Sequence, residues 1–214
     1  MVVGADQKRL SVHKDVLTKS SDFFKACCDG TGDWKKTVSK TVTLPALDSK
    51  AFETYLHWLY SKDLILSHPR SVADRHADIW ARTNTFDHYW KQLIELIVVG
   101  EWLDDDEFSN EVMDSTIRIT NDLDICITER IDIDEVYWRL LPSAPLRRLC
   151  IDHWVALVEE EKIATKTADL PREFLVDLLV AYKRVLDAKA TSEVPTFANR
   201  CDYHIHNDEV PKCT

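Results

Sequence analysis

The sequence has 214 residues, of which 45% are hydrophobic and 30% are charged, and this composition predicts a globular protein with a core of its own. The net charge of −10 argues against the basic surface that neutralises phosphates, so we expect no direct nucleic-acid binding. The longest apolar run, Leu93 to Val99, falls far short of the roughly 20 residues that span a bilayer, so we expect no membrane association.

The first elements predict a small sheet followed by a helix. Val2–Val3 and Arg9–His13 have the length and character of two strands, and the polar turn between them makes a hairpin. From Val16 to Cys27, apolar residues recur at spacings of three and four, which predicts one continuous helix. All four glycines lie in the first 100 residues, so we expect an α+β first part and an all-helical remainder.

A loop at Gly30–Asp33 and a short strand at Thr41–Leu44, closed by Pro45, come next. Asp48 is a favourable N-cap for a following helix. We expect the aromatic stripe of that helix to belong to the core, with a partner-binding groove as the alternative. The stripe consists of Phe52, Tyr55 and Tyr60.

Residues 61–87 are of mixed polarity and are predicted to form a long connector or an insertion. An apolar helix is expected over Tyr89–Leu103, at the centre of the fold. Another helix then begins at Asp104–Asp106. These three carboxylates are predicted either to form a solvated cluster that caps the helix or to bind Mg²⁺. The apolar side of that helix comprises Phe108, Val112, Met113 and Thr116.

Two further helices are predicted near the C-terminus, each preceded or begun by a proline. One begins after Pro145 and the other at Pro171, a residue type favoured in the first helical turn. The second of them is expected to present Phe174, Leu175, Leu178, Leu179, Tyr182 and Leu186 on its apolar side. Cys126 and Cys150 stand among apolar residues and are predicted to fill the core.

The segments from Leu10 to Leu17, Ser20 to Phe24, Thr41 to Pro45 and Ala51 to Tyr60 resemble the BTB/POZ family in their order and residues. Leu141 to Cys150 also looks like the linker and helix of fungal members of the family. The positions that best match the family pattern are His13, Lys14, Leu17, Phe23, Phe24, Leu44, Pro45, Phe52, Leu59 and Tyr60.

The resemblance implies an α+β class with the BTB/POZ fold, a short mixed sheet flanked by a helical cluster, and an all-helical C-terminal extension. The expected divisions are a BTB/POZ domain over 1–120, a helical extension over 121–190 and a Cys/His-containing tail over 191–214.

The same resemblance implies an interaction protein rather than an enzyme. Its expected partners are proteins, either a second copy in a homodimer or a cullin scaffold, for which the chain would be a ubiquitin-ligase substrate adaptor. A transcription-associated or scaffold role stays open beside these. The sequence does not indicate which residues bind the partner. His13 stands at a strand-to-helix junction without a nucleophile or acid nearby in the motif, so we expect a structural histidine that bonds to neighbouring backbone groups.

The C-terminal tail contains the one constellation with metal chemistry. Cys201, His204, His206 and Cys213 bring two thiols and two imidazoles together in the chain, a set that tetrahedral Zn²⁺ accepts. A tail without metal and a Cys201–Cys213 disulfide are the alternatives. If zinc binds, the alternative function is that of a metal-binding or redox-sensing regulatory protein.

Acidic residues concentrate between Glu101 and Glu135. This window contains thirteen acidic residues and only two basic ones, Arg118 and Arg130. This window is either a solvated helix face or a docking surface for a basic partner. No secretory signal is visible after Met1, so we expect an intracellular protein, cytoplasmic or nuclear, with reduced cysteines.

Overall fold

The computed structural model describes residues 1–29, 41–166, 169–187, 199–207 and 213. The predicted loop at Gly30–Asp33 lies outside them. The chain divides into two compact units. The first comprises the described residues within Met1–Arg70, His88–Val112 and Ile205–Pro211, and the second those within Ser71–Asp87, Met113–His204 and Lys212–Thr214.

The sheet of the first unit has three short strands, with β1 (Val2–Val3) between β2 (Lys8–Arg9) and β3 (Thr43–Leu44). The β1 strand runs antiparallel to β2 and parallel to β3, so the sheet is mixed and the predicted hairpin is confirmed. The second strand ends at Arg9 rather than at His13. Val3 and Leu44, paired across β1 and β3, are both buried.

The helix predicted from Val16 to Cys27 is in fact two helices, α1 (Lys14–Ser20) and α2 (Asp22–Asp29). Between them Ser21 is extended, with φ −114° and ψ 124°. Its buried hydroxyl donates a hydrogen bond to the Leu103 carbonyl and accepts one from the Phe24 N–H at 3.3 Å. The single-helix prediction was wrong because a serine that caps α2 and bonds to a distant carbonyl is more stable outside the helix.

Helix α3 (Ser49–Ser61) begins as predicted, because the Asp48 carboxylate accepts hydrogen bonds from the N–H groups of Lys50 and Ala51. Phe52 and Tyr55 are buried, as expected. Tyr60 is 54% exposed, so its assignment to the core was wrong. The buried aromatic side chain in the last turns of α3 is Trp58.

Helix α4 (Ile79–Leu103) begins ten residues before the predicted start at Tyr89, so the irregular segment after α3 is shorter than the predicted 61–87. The Asp78 carboxylate accepts a hydrogen bond from the Ala81 N–H at 2.8 Å and caps the helix. Phe86 is buried, and the Thr85 hydroxyl accepts from the Ala73 N–H. These tertiary contacts outweigh the weak helix propensity of the threonines and asparagine here.

Helix α5 (Asp106–Leu123) follows, and the four residues predicted for its apolar side are all buried. The second unit also contains α6 (Ile133–Arg139), α7 (Pro145–Leu157), α8 (Glu160–Lys166) and α9 (Arg172–Asp187). Of these, α7 and α9 were predicted. Short 3₁₀ turns lie at Ile127–Glu129 and Arg200–Tyr203.

Helix α9 packs on α7 through two side chains, Phe174 and Leu178, which are the buried residues of the helix. The rings of Phe174 and Trp154 lie 5.4 Å apart, edge to face. Leu179 is 68% exposed and Leu186 is also exposed, so the predicted apolar side was too wide. Cys150 is buried, as predicted, whereas Cys126 is only half-buried.

The mixed sheet and the helical remainder confirm the predicted α+β class with a helical extension. None of the helices in the described part of the chain combines the length and apolar character needed to cross a bilayer.

Candidate functional site

The residues of the BTB/POZ-like pattern divide into a buried set and a surface set. The surface residues are His13, Lys14, Pro45 and Tyr60, and Phe23 is half-buried. The buried members are Leu17, Phe24, Leu44, Phe52 and Leu59. The pattern therefore consists of core positions together with a few side chains on the surface of the first unit.

His13 contacts Tyr60 rather than the backbone groups that we expected. The ring Nδ1 of His13 lies 2.9 Å from the Tyr60 hydroxyl, and the backbone N–H of His13 donates to the same oxygen at 3.2 Å. The contact joins the start of α1 to the end of α3, although the two residues are 47 positions apart. Both side chains are exposed, so the pair lies on the surface of the first unit.

An aromatic pair, Phe23 of α2 and Trp102 of α4, forms an apolar surface on the first unit. The two rings lie 5.7 Å apart, edge to face, and Trp102 is 47% exposed. The Ser21–Leu103 hydrogen bond fixes the neighbouring residues of both helices. This Phe23–Trp102 pair is thus a partly exposed apolar contact between two helices of the first unit.

Asp105 is a buried carboxylate in the first unit, so the predicted solvated cluster was wrong at this position. It accepts hydrogen bonds from the Phe108 N–H and the Tyr55 hydroxyl, both at 3.0 Å. Burial raises the pKa of Asp105 to about 6, although these hydrogen bonds oppose the rise. The pKa of Tyr55 is also raised, chiefly by its own burial and then by the Asp105 charge.

The three carboxylates of Asp104–Asp106 have separate surroundings. Asp105 caps α5 from within the core, whereas Asp106 accepts a hydrogen bond from the Asn207 amide. Asp104 has a positive φ of 51°. These differences favour capping over the Mg²⁺ alternative, because an octahedral ion needs oxygens that converge on one point.

Many acidic residues of the Glu101–Glu135 window have local partners. Asp132 accepts from the N–H groups at the start of α6. Five ion pairs join others to basic residues: Glu107 to Lys62, Asp114 to Arg200, Asp124 to Arg82, Glu129 to Lys162 and Glu135 to Arg139. These contacts favour the structural interpretation of the acidic window over the docking surface.

Of the four tail residues predicted as metal ligands, Cys201, His204 and Cys213 belong to the second unit and His206 belongs to the first. The Sγ atoms of Cys201 and Cys213, both in the second unit, lie within 4.8 Å of each other. His204 also approaches this group, with its Nδ1 3.1 Å from the Cys213 Sγ. Cys201, His204 and Cys213 therefore lie together in the second unit, and we call these three residues the Cys/His cluster.

Tyr203 anchors the tail within the second unit. Its ring is buried, and its hydroxyl donates to the Asp152 carboxylate at 2.9 Å. The Arg148 guanidinium lies 5.6 Å from the Tyr203 ring and donates to the Asp202 carbonyl. These contacts fix the turn that contains Cys201.

Asp114 was missed by sequence reasoning. Its carboxylate lies 3.0 Å from the Nε2 of His204 and 3.4 Å from the Nη1 of Arg200. It stands on α5, 90 positions before His204, so no local spacing connects the two residues. A single acidic residue on a helix face gives no signal that could have identified this role.

The thiols of the Cys/His cluster affect each other. A hydrogen bond with Cys201 is the largest of the effects that raise the pKa of Cys213. Two neighbouring thiols can bind a soft metal ion when they lose their protons, or can be oxidised to a disulfide.

Comparison with known proteins bears on the N-terminal part of the chain. None of the curated proteins matches the chain at a significant level. The family model of the BTB/POZ domain matches residues 1–89, which include the three-stranded sheet, α1, α2 and α3. Residues 1–89 are therefore similar to the BTB/POZ domain, a module of protein–protein interaction.

Proposed function

We propose that this chain acts by protein–protein association, first with a second copy of itself and then as an adaptor on a cullin scaffold. The BTB/POZ match over residues 1–89 is the observation that carries the proposal. The likeness of residues 141–150 to fungal members points to a source group but names no partner.

The Phe23–Trp102 pair is the surface that best fits the homotypic contact. Tryptophan is enriched among the residues that dominate interface energies, because its large apolar ring is desolvated on binding. Trp102 exposes about half of its side chain beside another aromatic ring. It also lies next to the Ser21–Leu103 hydrogen bond, so little order would be lost when a partner packs on it.

Trp102→Ala is expected to weaken self-association at least tenfold, since hot-spot truncations cost roughly 2 kcal/mol or more. Sedimentation velocity over a concentration series measures the change. Trp138→Ala, which removes a ring that is 86% exposed on α6, is the matched control and should leave association unchanged. A wild-type dissociation constant for Trp102→Ala would contradict this choice of surface.

Docking on a cullin is tested with purified components. Biolayer interferometry of the untagged full chain against the N-terminal region of a cullin should show saturable binding. The Trp138→Ala variant should bind equally well. Absence of saturable binding would contradict the adaptor role and leave self-association as the function.

The alternative function predicted from the tail is a metal-responsive or redox-sensing role. It is distinguished by whether self-association changes when zinc or an oxidant acts on the Cys/His cluster. Light scattering with zinc, with a chelator and with oxidised glutathione makes this comparison. An unchanged mass in all three conditions supports association as the function. A mass that changes with zinc or oxidant supports the regulatory alternative.

A further inference from the structure

Two thiols of the second unit lie close enough to form a disulfide. Cys201 and Cys213 are both reduced, and their Sγ atoms lie within 4.8 Å of each other. The sulfurs of a disulfide are about 2 Å apart, so the two side chains need to approach by roughly 3 Å at most. Cys213 is exposed, whereas Cys201 is half-buried. A small oxidant in solution therefore reaches the Cys213 sulfur more readily.

The proton of the Cys213 thiol has an acceptor beside it. The Nδ1 of His204 lies 3.1 Å from the Cys213 Sγ, and the Nε2 of the same ring lies 3.0 Å from the Asp114 carboxylate. A carboxylate that accepts the Nε2 proton leaves the Nδ1 lone pair directed at the thiol. The hydrogen bond with Cys201 raises the pKa of Cys213. The thiol therefore keeps its proton at neutral pH, and a base beside it makes it a better nucleophile.

Neighbouring contacts hold the base and the second thiol in place. The Arg200 guanidinium lies 3.4 Å from the Asp114 carboxylate, whose other oxygen contacts His204. The buried Tyr203 anchors the turn that contains Cys201. The fold therefore positions both groups before an oxidant arrives, and little order is lost when the thiols react.

A second pair of thiols in the same unit differs in its exposure. Burial is the main cause of the raised pKa of Cys150, and the neighbouring Cys126 contributes to it. Cys150 is fully buried, and Cys126 is half-buried with its Sγ 3.3 Å from the Thr128 hydroxyl. An oxidant in solution does not reach the buried sulfur of this pair. Cys126 is therefore a suitable reference for the reactivity of Cys213.

We propose that Cys213 is an oxidation site for hydroperoxides, with His204 as the base and Cys201 as the thiol that converts the oxidised product into a disulfide. Asp114 orients His204. The Nδ1 of His204 takes the thiol proton while the Cys213 sulfur attacks a peroxide oxygen. The O–O bond breaks, the leaving oxygen takes up the proton, and an alcohol or water departs from the Cys213 sulfenic acid.

The second step closes the disulfide. The Cys201 sulfur attacks the Cys213 sulfur, the S–O bond breaks, and the departing hydroxide takes up the Cys201 proton to give water. The two thiols have then lost two electrons, which the hydroperoxide has gained. The oxidation site is independent of the proposed association, and either can fail alone. A disulfide that forms without a change in the mass of the assembly leaves association as the function.

Oxidation of the untagged full chain by a small molar excess of hydrogen peroxide tests the site. The mass of the chain should fall by two hydrogens, and peptide mapping should locate the disulfide between Cys201 and Cys213. In Cys201→Ser the reaction should stop at the sulfenic acid, which dimedone labels on Cys213. Cys126→Ser, which removes a half-buried thiol, is the matched control and should oxidise as the wild type does.

The rate of disulfide formation tests the role of His204. His204→Gln should react at least about tenfold more slowly, since a positioned base contributes roughly 10²- to 10⁴-fold. Asp114→Asn should also react more slowly, because an amide can donate to Nε2 and so place the ring proton on Nδ1. Asp114→Glu preserves the carboxylate and should react faster than Asp114→Asn.

Three outcomes would overturn the proposal. They are a peroxide-treated chain without the Cys201–Cys213 disulfide, dimedone labelling of Cys201→Ser at other thiols but not at Cys213, and a wild-type rate in His204→Gln. Circular dichroism of each variant should match the wild type, so that a slower reaction is attributed to the side chain and not to unfolding.

Discussion

Replacing Arg147 by methionine is expected to lower the free energy of unfolding by about 3 kcal/mol. The Arg147 side chain is buried on α7 and donates to the carbonyls of Tyr137 and Leu140, at and just beyond the C-terminal turn of α6. Its guanidinium also lies 4.3 Å from the centre of the Tyr137 ring. Methionine preserves much of the apolar volume but leaves both carbonyls without this donor.

Urea unfolding followed by circular dichroism measures the loss. Arg172→Met, at the exposed start of α9, is the control and should change stability by less than about 0.5 kcal/mol. Arg147→Lys should lie between the two, because both hydrogen bonds come from one nitrogen, Nη2, which an ammonium group replaces in part, whereas the planar guanidinium over the Tyr137 ring is lost. Equal stabilities of Arg147→Met and the control would show that the α6–α7 connection does not depend on this side chain.

Asp105→Asn is expected to remove part of the pH dependence of stability. Burial raises the folded-state pKa of Asp105 to about 6 from its ordinary value of 3.8. A carboxyl whose pKa is raised by folding stabilises the protein below its unfolded pKa, and this contribution is lost as the pH rises through the folded pKa. For Asp105 the loss falls between about pH 4 and pH 6 and amounts to roughly 2–3 kcal/mol.

Asparagine caps helices as well as aspartate does and carries no charge. The variant should therefore be close to the wild type in stability at pH 4 and more stable than it at pH 7.5, by urea unfolding at both values. Asp48→Asn, which makes the same substitution at an exposed cap on α3, is the matched control for the change of residue type. A stability difference between Asp105→Asn and the wild type that does not vary with pH would contradict the raised pKa.

Local sequence patterns were sufficient for elements that depend on local interactions. The hairpin and the Asp48 cap follow from short-range hydrogen bonding and were predicted correctly. The apolar side of α5 follows from helical periodicity and was also predicted correctly.

Elements that depend on distant contacts were predicted less well. The break at Ser21 depends on the carbonyl of Leu103, 82 positions later. The early start of α4 depends on the burial of Phe86 and on the contact between Ala73 and Thr85. Sequence periodicity cannot represent such partners, because it compares only residues within one segment.

The candidate sites show the same division. The four tail residues that we predict as metal ligands share one short segment, and the prediction rests on their residue types alone. Asp114 on α5 and the Phe23–Trp102 pair could not, because they bring together residues that are far apart in the chain. In both cases the two residues in contact come together only when the chain folds.

The proposed self-association is tested most directly by the mass of the chain in solution. Multi-angle light scattering of the untagged full chain, from low to high micromolar concentration, should show a mass that rises to twice the 24.8 kDa of one chain. A constant mass of one chain at every concentration would contradict the homotypic association that we propose.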